Sequence, residues 1–117
     1  MAAATYDFEI EQGATLIKPI VWNDGNGAPV NLTGYSARMQ VRKNVAAADV
    51  LLELSTTNSK IQITPMTGTV TLVFSATTTA AIDWSRGKYD LEMTSGDGTV
   101  TRLIEGEISI SKEITRG

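Results

Sequence analysis

The sequence predicts an all-β fold: an antiparallel, two-sheet, immunoglobulin-like β-sandwich of eight or nine strands with one short helical turn. Short apolar runs rich in Val, Ile and Thr recur along the chain, and several alternate apolar with polar residues. Glycine, Asn and Asp residues separate the runs, so most connections are too short for helical crossovers. With no internal repeat or linker, residues 1–117 are expected to form a single domain.

The first two predicted strands differ in how their apolar residues are arranged. The run from Tyr6 to Glu11 alternates strictly, which predicts a half-buried strand. Its inward side chains are predicted to be Tyr6, Phe8 and Ile10. The next run, Thr15 to Trp22, is apolar on both faces, and Pro19 within it indicates a sheet edge or a bulge.

Six further runs of ordinary strand length follow the turn signal at residues 23–27. They are Tyr35–Lys43, Val50–Leu54, Lys60–Thr64, Thr69–Phe74, Lys88–Thr94 and Thr99–Ile114, the last forming one or two strands around Gly106. The alternation in the first and fourth predicts core positions at Ala37, Met39, Val41, Val70, Leu72 and Phe74. One face of each strand is therefore expected in the core and the other in water.

Residues 75–82 break the alternation and predict the helical turn. Ser75 or Thr77 is suited to cap it, since a hydroxyl can accept a free N–H of the first turn. The turn is expected to pack apolar side chains onto the sheets. These are Ala81, Ile82 and Trp84.

Composition excludes several classes of function. The chain lacks Cys and His, which removes disulfides, Ser-His-Asp triads, Cys-His dyads and nearly all zinc sites. Its net charge is −3 and its Lys and Arg residues are scattered, so no nucleic-acid partner is expected. No apolar run approaches the roughly 20 residues needed to span a bilayer, so neither membrane insertion nor a signal peptide is expected.

The most suggestive carboxylates are Asp7, Glu9 and Glu11, which share one face of the first predicted strand. Such a group can supply the acids of a glycosidase or the ligands of a metal. The competing interpretation is a solvated face that discourages edge-to-edge aggregation, and we favour it because no second carboxylate group is distinctive. No catalytic, cofactor-binding or metal-binding residue is therefore assigned, and the protein is not expected to be an enzyme or to need a cofactor.

Two other polar segments have structural explanations. The loop starting at Asp24 resembles a calcium loop, but the twelfth position counted from it is Tyr35 instead of an acidic residue. We therefore predict a hairpin loop. The threonines at residues 77–79 lack a visible base that would activate a nucleophile, so capping is the favoured role.

The aromatic residues leave a carbohydrate-binding platform as an alternative. The candidates are Tyr6, Trp22, Tyr35, Trp84 and Tyr89. Tyr6, Trp22 and Tyr89 are in phase with apolar neighbours, which favours core positions for these three. A sugar-binding module requires instead that the rings be exposed on one surface.

Six segments together resemble a known family in order and spacing. They are Phe8–Gly13, Asp24–Tyr35, Ala37–Arg42, Ser75–Ile82, Gly87–Leu91 and Leu103–Ile110. The most specific is Asp24–Tyr35, and the likeness runs from residue 6 to residue 115. The chain resembles the N-terminal domain of the baseplate upper protein of siphophages and related prophage proteins. That family has no catalytic residues to carry over.

The resemblance implies a bacteriophage virion structural protein, made in the host cytoplasm and located in the phage tail. It would act as a tail, baseplate or fibre-attachment adaptor that binds other tail, baseplate or fibre proteins and forms homo-oligomers in the virion. The sheet edges and the loops at residues 23–30 and 44–49 are the expected contact surfaces. The alternatives are a carbohydrate- or receptor-binding sandwich module and an unusual hydrolase that uses Asp7, Glu9 or Glu11.

Overall fold

The structure is a computed structural model that describes residues 3–115. In chain order, the strands are β1 (Ala4–Thr5), β2 (Phe8–Glu11), β3 (Leu16–Val21), β4 (Ser36–Arg42), β5 (Leu52–Ser55), β6 (Ile61–Thr64), β7 (Thr69–Phe74), β8 (Arg86–Thr94) and β9 (Val100–Ser111). The α-helix α1 covers Ala76–Ala80, and a 3-10 helix that the sequence did not predict covers Pro65–Thr67. No helix within residues 3–115 is long and apolar enough to cross a membrane.

The strands form two sheets, which confirms the predicted sandwich. The large sheet has the order β1-β9-β8-β4-β5, with β2 pairing on the same edge of β9 as β1. The small sheet has the order β3-β7-β6. The antiparallel prediction fails for β1 and β2, which both run parallel to β9. Parallel pairing is possible there because most of the chain separates these strands from β9, so no tight hairpin has to join them.

The predicted strand Tyr6–Glu11 is interrupted at its start. Tyr6 and Asp7 lie between β1 and β2, where the backbone crosses close to Gly106 of β9. A Cβ atom at Gly106 would lie 2.2 Å from the Tyr6 carbonyl oxygen, so only glycine fits there. The core position predicted for Tyr6 is wrong: its side chain is 37% exposed and stacks on Phe8 at the rim, with ring centroids 5.6 Å apart.

The core lies between the sheets and follows the predicted alternation. Its buried apolar residues are Ile10, Leu32, Ala37, Met39, Val41, Leu54, Ile61, Val70, Leu72, Phe74, Ile82, Tyr89, Leu91, Met93, Ile104 and Ile108. All six core positions predicted in β4 and β7 are among them. Leu32 is the member that strand periodicity did not indicate, because it lies in the loop before β4.

The helix α1 begins as predicted. The Ser75 Oγ accepts a hydrogen bond from the backbone N–H of Thr78 (3.2 Å), which satisfies a free donor of the first turn. Ile82 is buried and Trp84 packs against the core, as expected. Ala81 is exposed instead, because Thr79 is the helix residue that is oriented inward.

Candidate functional site

The three candidate carboxylates are not brought together as a catalytic group. Asp7 lies in the break between β1 and β2, where its Oδ1 accepts a hydrogen bond from the backbone N–H of Glu107 (2.8 Å). Glu9 and Glu11 are exposed on β2, as the solvated-face interpretation expects. Within residues 3–115, no group of three or more His, Cys, Asp or Glu side chains has a metal-binding arrangement.

The Asp24 loop is a hairpin in which the Asp24 carboxylate accepts hydrogen bonds from backbone N–H groups of the same loop. The Asp24 Oδ1 accepts hydrogen bonds from the N–H groups of Asn26 (2.8 Å) and Ala28 (3.1 Å). The Val30 N–H donates to the Trp22 carbonyl (2.9 Å) and closes the hairpin at its base. The predicted hairpin is confirmed, and the loop extends beyond the end of β3 as a fixed, exposed projection.

Capping, the role that the sequence favoured for the threonines of α1, belongs to Ser75 instead, and Thr78 and Thr79 form other hydrogen bonds that hold the helix. Thr79 is fully buried, and its Oγ1 donates to the Ala14 carbonyl (2.8 Å), which ties α1 to the turn before β3. The Thr78 hydroxyl accepts a hydrogen bond from Ser75 Oγ (3.0 Å) at the N-terminus of the helix. These contacts position the helix.

The aromatic residues are distributed over separate parts of the sandwich. Tyr89 is buried, as predicted, and burial raises the pKa of its phenol. Trp22 packs edge-to-face against Tyr35, with ring centroids 5.9 Å apart, and both are half-buried against the core. Tyr6 lies between β1 and β2, where the Lys18 ammonium is 5.0 Å from the centre of its ring. A shared sugar-stacking platform is not formed by the rings at these positions.

Asn31–Tyr35, which belongs to the family-like segment Asp24–Tyr35, forms a turn that contributes a side chain to the core. The Asn31 Oδ1 accepts hydrogen bonds from the N–H (3.0 Å) and the hydroxyl (2.7 Å) of Thr33. The Tyr35 N–H donates to the Leu32 carbonyl (3.0 Å), and Gly34 adopts a φ of 83°, which favours glycine. The turn inserts Leu32 between the sheets, where it is 1% exposed.

The second predicted contact loop, residues 44–49, is held by Arg42, the arginine that ends the family-like segment Ala37–Arg42. The Arg42 guanidinium donates hydrogen bonds to the carbonyls of Ala47 and Ala48, both at 2.8 Å. Val45 projects from this loop and is 92% exposed. The loop therefore presents an apolar tip on a base fixed by charge-assisted hydrogen bonds.

The outer surface of the large sheet, here called the charged face, carries many ionised side chains. They are Arg38, Arg42, Glu53, Arg86, Lys88, Asp90, Glu92, Arg102, Glu105 and Glu107.

Neighbouring strands pair these charges. Arg38 lies 3.0 Å from Glu53, Lys88 lies 3.1 Å from Glu107, and Arg102 lies 3.3 Å from Asp90. Hydrogen bonds from Gln40 and then Arg38 hold the pKa of Glu53 below its ordinary value. A shallow concavity of about 630 Å³ lies over the centre of this face. Most charges of the charged face are balanced by opposite charges on the same face. Such exposed ion pairs contribute little to stability.

The outer surface of the small sheet, here called the uncharged face, has the opposite character. It consists of Ile17, Pro19, Val21, Gln62, Thr64, Thr69, Thr71 and Val73. Ile17 is 61% exposed and Val21 is 55% exposed. The signal was present in the sequence, since the run Thr15–Trp22 is apolar on both of its faces.

Comparison with solved structures shows that this fold occurs in a phage protein. The chain is similar to the N-terminal domain of ORF48 of phage TP901-1, with a TM-score of 0.52 and 16% sequence identity. The match covers 95% of this chain and 86% of that chain. The likeness thus includes both sheets and shows a shared fold. No family model matches the chain, and no curated protein matches it at a significant level.

Proposed function

We propose that this protein is a structural subunit of a bacteriophage virion that binds other tail, baseplate or fibre proteins as an adaptor. The observation that carries the proposal is the fold shared with a phage protein domain over 95% of the chain. The sequence resemblance to a baseplate N-terminal domain supports it, because sequence motifs and backbone geometry separately resemble phage proteins.

The surfaces of the sandwich suit binding rather than turnover. Two exposed loops are fixed by internal hydrogen bonds, which the Asp24 carboxylate accepts in one loop and the Arg42 guanidinium donates in the other. A loop that is already ordered loses less conformational entropy when a partner binds. The proposed mechanism is therefore protein–protein recognition by preformed loops and sheet faces, with homo-oligomers formed in the virion.

The proposal is tested by affinity purification of the tagged protein from cells in which the encoding phage is assembling, followed by mass spectrometry. The expected result is enrichment of tail, baseplate or fibre proteins. A tagged Leu32→Asp variant, which places a carboxylate in the core, is a matched control that should lose the enrichment along with the fold. Recovery of host proteins alone by the wild-type chain would contradict the proposal.

A further inference from the structure

The free edges of the two sheets differ in whether another strand can pair with them. Within residues 3–115, the large sheet ends at β5 on one side and at β1 and β2 on the other, and the small sheet ends at β3 and β6. A free edge exposes backbone N–H and C=O groups that can pair with another chain, so folded proteins commonly block such edges.

The edge of β3 is blocked by its own residues. The Trp22 N–H donates to the Gly68 carbonyl on the β7 side (2.8 Å), so the odd-numbered residues of β3 direct their backbone groups to the free edge. Pro19 has no N–H, and its missing donor therefore falls on that edge. The half-buried Lys18 adds a charge on the inward side of the same strand, which also discourages pairing.

The edge of β5 is covered by the side chain of Asn58. The Asn58 Oδ1 accepts a hydrogen bond from the Ser55 N–H (2.9 Å), and its Nδ2 donates to the Glu53 carbonyl (3.1 Å). Both backbone groups face away from β4, because the Thr56 N–H donates to the Ala37 carbonyl on the β4 side (3.0 Å). The Asn58 amide thus takes the place of a neighbouring strand.

The edge formed by β1 and β2 is interrupted and charged. Tyr6 and Asp7 separate the two short strands. The Gln12 N–H donates to the Ser111 carbonyl of β9 (2.9 Å). The odd-numbered residues of β2, Glu9 and Glu11, therefore direct their backbone groups to the free edge, and both carry exposed carboxylates.

The edge of β6 has none of these features. The Val73 N–H donates to the Lys60 carbonyl (2.9 Å), so the alternation of the ladder directs the N–H and C=O groups of Ile61 and Ile63 away from β7. No turn, loop or side-chain hydrogen bond within residues 3–115 reaches these four groups. The strand also contains no proline and no charged residue.

We propose that a strand of a partner protein pairs with the free edge of β6 and extends the small sheet. The partner segment must be extended, because the free donors and acceptors of Ile61 and Ile63 have the alternate spacing of a strand. Along β6, Ile61 and Ile63 are buried or half-buried, whereas Gln62 and Thr64 are exposed and uncharged. A segment that continues this sheet is therefore expected to alternate apolar with uncharged polar residues.

The inference rests on the proposed virion role, and the partner strand is expected to belong to a tail, baseplate or fibre protein. Two outward residues supply only two donors and two acceptors. The added strand is therefore expected to fix the orientation and register of a contact that other surfaces of the two proteins enlarge.

Proline at position 63 tests the backbone pairing, because it removes an outward N–H and leaves the hydrogen bonds to β7 in place. Affinity purification of tagged Ile63→Pro from cells in which the encoding phage is assembling should recover about tenfold less tail, baseplate or fibre protein than wild type. Ile63→Ala is the matched control, since it shortens the side chain but keeps the N–H, and it should recover nearly the wild-type amount. Urea denaturation of the purified variants checks that both fold.

Photo-cross-linking gives a second measurement that does not depend on the fold of the proline variant. A photoreactive residue in place of Gln62, whose side chain is exposed, should cross-link to one extended segment of one partner protein. The same residue in place of Ile17, which is 61% exposed on the opposite edge strand of the small sheet, should not cross-link to that segment.

Equal recovery by wild type and Ile63→Pro would overturn the inference and leave the proposed virion role standing. Equal losses in Ile63→Ala and Ile63→Pro would assign the contact to the side chain and would also overturn backbone pairing. Cross-links from position 62 that are absent, or scattered over many proteins, would have the same meaning. A wild-type chain that recovers no tail, baseplate or fibre protein would contradict the proposed function itself, and this inference with it.

Discussion

The Tyr89 hydroxyl donates a hydrogen bond to the backbone carbonyl of Tyr6, which ties the N-terminal segment to the large sheet. The same carbonyl passes directly over Gly106, where no Cβ atom would fit. Both Tyr89 and Gly106 belong to segments on which the family resemblance was based. Their roles here are structural, so these motif residues specify how the first strands attach to β9.

Replacing Tyr89 with Phe removes the hydroxyl and leaves the Tyr6 carbonyl without this donor. Loss of one buried hydrogen bond of this kind is expected to lower the free energy of unfolding by about 1–2 kcal/mol. Urea denaturation followed by fluorescence measures the change. Tyr35→Phe is the matched control, because the Tyr35 hydroxyl forms no hydrogen bond within residues 3–115 and its loss should have little effect. Equal losses in the two variants would contradict the assigned role.

Alkaline pH should destabilise the fold through the same side chain. Burial, followed by the nearby Tyr6 and Asp7, raises the pKa of the Tyr89 phenol above its ordinary value of 10.0. Above about pH 10 the unfolded chain releases this proton while the folded chain retains it, so the free energy of unfolding falls as pH rises. Below pH 10 the contribution of Tyr89 does not change with pH.

The measurement is the urea midpoint of wild type and Tyr89→Phe at intervals from pH 8 to pH 11.5. The wild-type midpoint should fall more steeply above pH 10 than that of the variant, which lacks the titrating group. Parallel curves would show that Tyr89 does not account for the alkaline loss.

Gly87 is expected to be intolerant of any side chain. A Cβ atom there would lie 2.6 Å from Val41 Cγ1 and 3.2 Å from the Arg42 carbonyl oxygen, and both groups are part of a tightly packed region. Gly87→Ala should lower the free energy of unfolding by about 2 kcal/mol through overpacking. Gly25→Ala should have little effect, because no atom lies within 4 Å of the corresponding position.

A double variant identifies the cause of the Gly87 effect. Val41→Ala alone should destabilise by removing buried methyl groups, but it also removes the atom nearest the new Cβ. The loss in Gly87→Ala, Val41→Ala should therefore be smaller than the sum of the two single losses. Strict additivity in thermal or urea denaturation would rule out the Val41 contact as the source.

Arg42 is predicted to control the order of the loop at residues 44–49 without being essential for the fold. Arg42→Ala removes both hydrogen bonds to the Ala47 and Ala48 carbonyls. Amide hydrogen exchange at Ala46 and Ala47, whose N–H groups donate to Asn44, should become several-fold faster.

The control for this loop is Arg102→Ala, which removes another exposed arginine of the charged face. Arg102 lies 3.3 Å from Asp90 and pairs with Glu92, which is opposite Arg38 at the end of β4 away from the loop. Exchange in residues 44–49 should be unchanged in this variant. A loop that exchanges equally fast in wild type and Arg42→Ala would show that the guanidinium does not order it.

Much of the sandwich could be predicted because the alternation of apolar and polar residues along a strand indicates which side chains are buried. Val70, Leu72 and Phe74 alternate with half-buried residues in β7, and this pattern fixes both the strand and its inward face. Ser75 or Thr77 could likewise be predicted as the helix cap, because capping is decided within one helical turn, and Ser75 is the cap in the structure.

The errors arose where distant parts of the chain decide the local structure. Tyr6 fits the alternation of its neighbours, but its backbone is displaced by the approach to Gly106, one hundred positions later. Leu32 is a core residue that belongs to a turn, so no strand period marks it. The parallel pairing of β2 with β9 could likewise not be predicted from either segment, because the register between two distant strands leaves no pattern in the sequence of either strand.

The candidate surfaces were predictable in part. The hairpin at residues 23–30 was predicted from its turn residues, and the apolar character of both faces of β3 was visible in the sequence. The contrast between a charged and an uncharged sheet face was not predictable, because it depends on which strands share a sheet. Arg42 also gave no local signal, since its partners at Ala47 and Ala48 depend on how the loop folds back.

Immunogold electron microscopy of gradient-purified particles of the encoding phage is the most direct test of the proposal that this chain is part of a phage virion. A Gly25-adjacent epitope tag in the exposed hairpin should be tolerated, since no atom lies within 4 Å of the Cβ position of Gly25. The expected result is gold label on the tail, at a fixed distance from the head. Intact, infectious particles that carry no label and no peptide of this chain by mass spectrometry would contradict it.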